Sequence, residues 1–166
     1  MGTGQTLLTI GAIMLLGSVI LTVNRSLNTN NQILLNSNIG LEEVSLATSI
    51  IEEAQGKAFD EQTDTNTVSS LSQLTPVASL GQENGDSADF NDFDDYNGLN
   101  NHGHVDTVRL STGIYIDSTR VYYVNLNNPD GISTTATWSK RLDVWVWNKD
   151  VPDTVKMHTI FSYWYF

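Results

Sequence analysis

A chain of 166 residues has room for one modest domain and an appendage. Its formal net charge of -11, with only eight Lys and Arg, argues against binding nucleic acid through a basic face, because phosphate has to be met by cationic side chains. The absence of Cys excludes disulfides, thiol nucleophiles and thiolate zinc sites, while an apolar content of 40% sets the chain apart from a disordered polar tail.

Residues 1–24 carry no charged side chain, and Thr3 to Val23 is a run of Leu, Ile, Val, Ala, Gly and Thr. As a helix this run would span about 32 Å, close to the hydrocarbon thickness of a bilayer. A secretory signal would open with a basic stretch and close on small residues. Here no Lys or Arg precedes the apolar run, and the segment beyond Asn24 is patterned. Removal of a basic leader, with Met1 as the mature terminus, would reconcile this with the positive-inside rule.

Beyond Arg25 the residues Ile33, Leu34, Leu35, Ile39, Leu41, Val44, Leu46, Ile50, Ile51 and Ala54 recur at steps of three and four. This is an amphipathic helix over 25–57, with Glu42, Glu43, Glu52 and Glu53 outside the stripe and Gly56 as its stop. The Asn-rich stretch 28–38 and Gly40 are the places for a bend. Together, residues 1–57 would make a rod about 85 Å long.

Residues 58–104 read as a long acidic connecting loop; no Lys or Arg occurs between Lys57 and Arg109. A short turn is expected near Leu71–Leu74, before Pro76. Asp86, Asp89, Asp92, Asp94 and Asp95 could gather oxygens for Ca2+, although Tyr96 stands where an EF-hand loop needs its third ligand. The competing reading is a solvated acidic loop on the surface. Phe90, Phe93 and Tyr96 recur every third residue, so the segment is expected to dock on the head. His102 and His104, with Asp106, offer a sparse donor set for a transition metal.

Residues 105–166 turn rich in Val, Ile, Thr, Tyr and Trp. The runs Val105–Ile116, Arg120–Leu126, Thr134–Trp147 and Thr154–Phe166 read as three or four antiparallel strands, with Asn127–Gly131 and Val151–Asp153 as turns. In one of them Leu142, Val144 and Val146 alternate with Asp143, Trp145 and Trp147, which assigns the aliphatic face to the helix. The fold class is α+β: a long N-terminal helix, apolar in its first half, whose second half packs on a small antiparallel sheet. No nucleophile elbow, zinc-protease helix or phosphate loop is present, so no catalytic residues are assigned and the chain is expected not to be an enzyme.

The order of parts, with the opening Met1-Gly2-Thr3-Gly4-Gln5-Thr6-Leu7-Leu8-Thr9-Ile10-Gly11, resembles mature type IV pilins and pseudopilins. Asp89–Gly98 and Lys140–Val146 are similar to stretches of pilin-like heads. The resemblance implies a structural subunit that waits in the inner membrane, meets a pilus assembly machinery, and polymerises with identical subunits into an extracellular filament on the cell surface. Met1, Gln5, Leu7, Leu8, Ile10, Ile13, Leu15, Leu16 and Ile20 would carry assembly. The family commonly has Glu at the fifth position, thought to pair with a neighbour's terminal amine; Gln5 can accept that hydrogen bond but brings no charge. Some pseudopilins are stabilised by calcium in a loop comparable to the acidic one here. The alternatives are a minor pilin or pseudopilin of a secretion system, and a membrane-anchored surface domain that binds a ligand.

Overall fold

The computed structural model describes residues 2–83, 90–97 and 105–164. Helix α1 runs without interruption over Thr3–Gln55, through the Asn-rich stretch and through Gly40. It ends where expected, with the Gly56 amide donating to the carbonyls of Glu52 and Glu53. The chain divides into two compact units, residues 1–39 and 40–166, so the last turns of α1 belong to the second unit.

In that second unit the helix segment 40–55 packs on an antiparallel sheet, which settles the fold class as α+β. The strands are β1 (Val105–Leu110), β2 (Gly113–Asn125), β3 (Asn128–Ile132), β4 (Ser139–Asn148) and β5 (Val155–Ser162), in the order β1-β2-β4-β5 with β3 paired to β2. Ala47 and Ala54 on the inner helix face let the helix sit close to the sheet. The contact is also polar. The Asn148 amide donates to Glu43 Oε1 at 2.9 Å, Gln55 Nε2 donates to Thr159 at 2.6 Å, and Tyr115 Oη donates to Glu42 Oε2 at 2.6 Å.

Three expectations are corrected. Glu43 does not lie outside the buried stripe: it is 1% exposed, whereas Leu41 and Val44 face outward. The backbone amide at the end of β4 needs an acceptor, and that need outweighs the hydropathy of the side chain. The run Val105–Ile116 is not one strand. Ser111 and Thr112 turn the chain into β2, and Gly113 takes a φ of 153° that Cβ-bearing residues rarely adopt. Finally, Asn127–Gly131 is not all turn, because Asn128–Ile132 forms a short edge strand that tolerates Pro129.

The segment after α1 is compact. It contains α2 (Glu61–Thr65), capped by Asp60, and single 3-10 turns at Leu71–Gln73, Val77–Ser79 and Asp94–Tyr96. Phe59, Val68, Leu74 and Leu80 form an apolar cluster with Tyr123 of β2. Phe93 and Tyr96 are buried, as their spacing predicts, and Phe93 meets the Phe161 ring edge-on at 5.3 Å. Asn97 locks this segment to the sheet, donating to the Leu80 carbonyl at 2.9 Å and accepting from the Val121 amide at 3.1 Å.

On β4 the even-numbered residues Lys140, Leu142, Val144 and Val146 are all buried, so the aliphatic face points inward as the alternation requires. The opposite face is half-covered. Trp145 is capped by Lys156, whose Nζ lies 4.9 Å from its ring centroid, and Asp143 accepts from Arg141 Nε at 2.9 Å and Tyr122 Oη at 3.0 Å.

Candidate functional site

Two surfaces or clusters bear on function, one in each unit. The first is the helix over residues 3–23, part of the one helix among the described residues long and apolar enough to cross a membrane. Gln5, Leu7, Leu8, Ile10, Ile13, Leu15, Leu16 and Ile20 all lie on it and are all exposed; Leu15 is 68% and Ile20 51% open. Met1 lies outside the described residues. The exposed apolar side chains surround the helix and do not form a stripe, which water disfavours.

Beyond Thr3, the hydroxyls on this helix are already satisfied within it. Thr6 donates to the Thr3 carbonyl at 2.9 Å, Ser18 to Leu15 at 2.8 Å and Thr22 to Ser18 at 2.8 Å. Polar side chains that close on their own backbone can enter an apolar phase at little cost. Space around Gly4, Gly11 and Gly17 is open, with nothing within 4 Å of where a Cβ would stand. These notches let a second helix approach closely.

The second site is a buried charge cluster in the head. Just past α1, Ala58 pairs with the chain around Asp92: the Ala58 amide donates to the Asn91 carbonyl at 3.2 Å, and the Phe93 amide to the Ala58 carbonyl at 2.9 Å. This pairing brings Asp60 and Asp94 to the same place. Lys140 reaches them from β4. Its Nζ donates to Asp60 Oδ2 at 2.8 Å, to the Phe59 carbonyl at 2.9 Å and to Asp94 Oδ1, and all three side chains are 0% exposed. The rings of Phe59 and Tyr123 lie 4.7 and 5.3 Å from Nζ.

Asp60 is heavily supported. Its carboxylate accepts from the Thr75 amide at 3.0 Å, the Thr75 hydroxyl at 3.1 Å and the Gln62 amide at 3.3 Å, and Tyr123 Oη lies 3.2 Å away. Burial raises its carboxyl pKa, but the Lys140 ammonium and these donors outweigh burial and hold it below the usual carboxylate range. Asp94 differs. Burial outweighs Lys140 and pushes it up to about 6, and its Oδ2 has no hydrogen-bond donor.

The acidic segment is therefore not a solvated surface loop: Asp92, Asp94 and Asp95 are all buried. Asp92 Oδ1 accepts from the amides of Asp94 and Asp95, and Asp95 Oδ2 from those of Asn91 and Asp92, so these side chains cap a tight turn. Asp86 and Asp89 of the calcium expectation, and His102 and His104, lie outside the described residues. Among the described residues no three His, Asp or Glu converge as a metal cage.

Burial, then Asp94, pushes Asp92 up to about 8; burial, then Asp92, Asp95 and Glu61, pushes Glu83 up to about 7. A raised folded pKa gives stability that is full below the unfolded value and lost as pH rises through the folded one. Glu83→Gln, which keeps the shape and removes the titration, is expected to stabilise the head at pH 8 by on the order of 1 kcal/mol, screening included. The gain should shrink toward pH 5. Thermal melts at both pH values check this, and a Ca2+-dependent rise in the wild type at pH 8 would identify a cation instead of protons as the neutraliser.

In the sequence Lys140 stands out only as half of a basic pair, and Asp60 does not stand out at all. A signal for Lys140 is nevertheless present in the alternation, since it is in phase with Leu142, Val144 and Val146 and so has to point inward. No family model, no curated protein and no solved structure matches this chain.

Proposed function

We propose that this chain is a structural subunit of a type IV pilus-like filament, held in a membrane by its N-terminal helix before assembly and bundled with identical helices afterwards. The observation that carries the reading is the helix over residues 3–23: apolar around its whole circumference, exposed, with its hydroxyls internally bonded and glycine notches along it. Such a surface must be covered by lipid or by copies of itself. Leu27, Ile33, Leu34 and Leu35 extend the exposed apolar surface past Arg25, beyond what a span of 21 residues, Thr3 to Val23, would need. That excess favours sister helices over lipid alone. The task is assembly, without catalysis.

Electron microscopy of material sheared from cells is expected to show fibres that react with antibody to the head. Deleting residues 1–28 should release a folded, soluble head and abolish the fibres. Full-length protein that stays as single detergent-bound copies, in cells without fibres, would overturn the proposal. A truncated head that retained binding to a surface ligand would favour the anchored-domain alternative. Label confined to fibre tips would mark a minor subunit.

A further inference from the structure

The buried cluster contains the parts of a condensation reaction: an amine, a carboxyl group with one oxygen free, and a second carboxylate held ionised, all closed off from bulk solvent. We propose that Lys140 and Asp94 become joined by an intramolecular amide bond between Nζ and Cγ, formed in the folded head with Asp60 as the proton carrier.

The geometry supplies each role. Nζ already touches Asp94 Oδ1, in a pocket walled by Phe59 and Tyr123. Both side chains are fully buried, and passing one proton from Nζ to Asp94 cancels two buried charges in a single transfer, leaving an amine as nucleophile and a carboxyl as electrophile. Asp94 Oδ2 has no donor to hold it, so it is free to leave. Asp60 is held by two backbone amides and a threonine hydroxyl, so it can take and return a proton without moving. The asymmetry between the two carboxyls assigns Asp94, not Asp60, as the partner that reacts.

The step balances without a co-reactant. One Nζ proton passes to Asp94, giving an amine and a carboxylic acid. Nζ then attacks Cγ, the Nζ–Cγ bond forms, and the carbonyl electron pair moves onto oxygen. A second Nζ proton passes through Asp60 to the departing hydroxyl. The Cγ–O bond breaks, water leaves, and Asp60 is a carboxylate again. An ammonium and a carboxylate have become an amide and one water. Two charges buried in the core are removed, and full burial keeps bulk water from the product. The bond would tie the start of β4 to the 3-10 turn at Asp94–Tyr96, two parts of the head far apart in sequence. This does not depend on the filament reading, since it concerns the folded head alone.

The test is the mass of full-length protein, purified in detergent and denatured before measurement. The wild type is expected to weigh one water less than its sequence requires. Trypsin should fail to cut after Lys140, and peptide 58–109, which has no internal Lys or Arg, should be recovered covalently joined to peptide 121–141. Mapping the join matters because Asp130-Gly131 can lose water by itself. Asp94→Ala should restore the full mass and separate the peptides, and Asp60→Asn should lower the joined fraction at least tenfold in protein whose near-ultraviolet circular dichroism is native. The wild-type measurement needs no variant to fold. Folded wild-type protein of full mass, with peptides 58–109 and 121–140 separate, overturns the proposal.

Discussion

Replacing Leu15 with Asp is expected to abolish fibres while leaving the head folded. Leu15 sits in the middle of the apolar run, 68% exposed, with Leu8, Gly11 and Ala12 one to two turns before it and Val19 one turn after. An uncompensated carboxylate in that setting costs about 3 kcal/mol even on scales that allow local relaxation. A loss of about 3 kcal/mol at each subunit contact lowers each association constant by roughly two orders of magnitude, which a polymer cannot survive. Ile20→Asp should act in the same way. Either variant could also fail to insert into the membrane, so a second substitution separates the two causes. Gly11→Leu makes the helix more apolar and keeps its insertion, but fills a notch that is open in the isolated subunit. If the helices bundle, Gly11→Leu cuts fibre yield strongly at unchanged membrane content. If lipid alone covers the helix, the variant changes nothing. Immunoblots of membrane and sheared fractions read both quantities.

The parts of this molecule that are legible in its sequence are those where hydrophobicity alone decides the structure. The helix over 3–23 has no competing signal, and the alternation Leu142, Val144, Val146 fixes the inner face of β4. The departures from expectation have a common cause. Glu43, Lys140, Asp92, Asp94 and Asp95 are charged residues that the fold buries, and a reading by hydropathy sends each of them outward. Glu43 goes in because the end of β4 presents an amide that needs an acceptor. Asp92 and Asp95 go in because their oxygens replace backbone partners in a turn. Asp94 goes in because Lys140 arrives from 46 residues away. Such pairings are long-range, and one sequence without its fold does not display them. Residues 117–119, which fall between the runs Val105–Ile116 and Arg120–Leu126, have a similar explanation. Asp117 and Ser118 are poor strand formers, yet β2 carries them through its middle because Val146 and Trp145 of β4 hold the register on one side.

The largest stability effect is expected at Lys140. Lys140→Met keeps most of the side chain's length and its apolar stem, so the aromatic contacts with Phe59 and Tyr123 survive in part. What disappears is the Lys140 amine, which meets Asp60 and Asp94, both 0% exposed, as a shared cation before the two side chains are joined and ties up Asp94 as an amide afterwards. Removing one partner of a buried pair leaves an uncompensated charge, and here two carboxylates are stranded together, so the head should lose about 3–5 kcal/mol. The loss has a predictable pH dependence. With the Lys140 ammonium present, burial of Asp60 is outweighed by that cation and by the Thr75 and Gln62 amides, so the carboxyl lies below its usual range and its contribution to stability is present above the unfolded value and fades as pH falls. In the variant, burial of Asp60 is opposed by the Thr75 and Gln62 donors alone, and burial of Asp94 loses its main counterweight. Both carboxyls then lie higher than they do beside the ammonium, and at Asp94 the folded state binds its proton more tightly than the unfolded one. The deficit of the variant should therefore be largest at pH 8 and shrink as pH is lowered toward 5, where the stranded acids can be neutral. Adding Asp94→Leu to Lys140→Met should recover part of the loss at pH 8, because an apolar pair of similar volume removes one of the two stranded charges. Denaturant melts of the soluble head at both pH values measure all of this. A Lys140→Met head as stable as the wild type at pH 8 would mean that the Lys140 amine contributes nothing to holding β4 against the segment that carries Asp60 and Asp94.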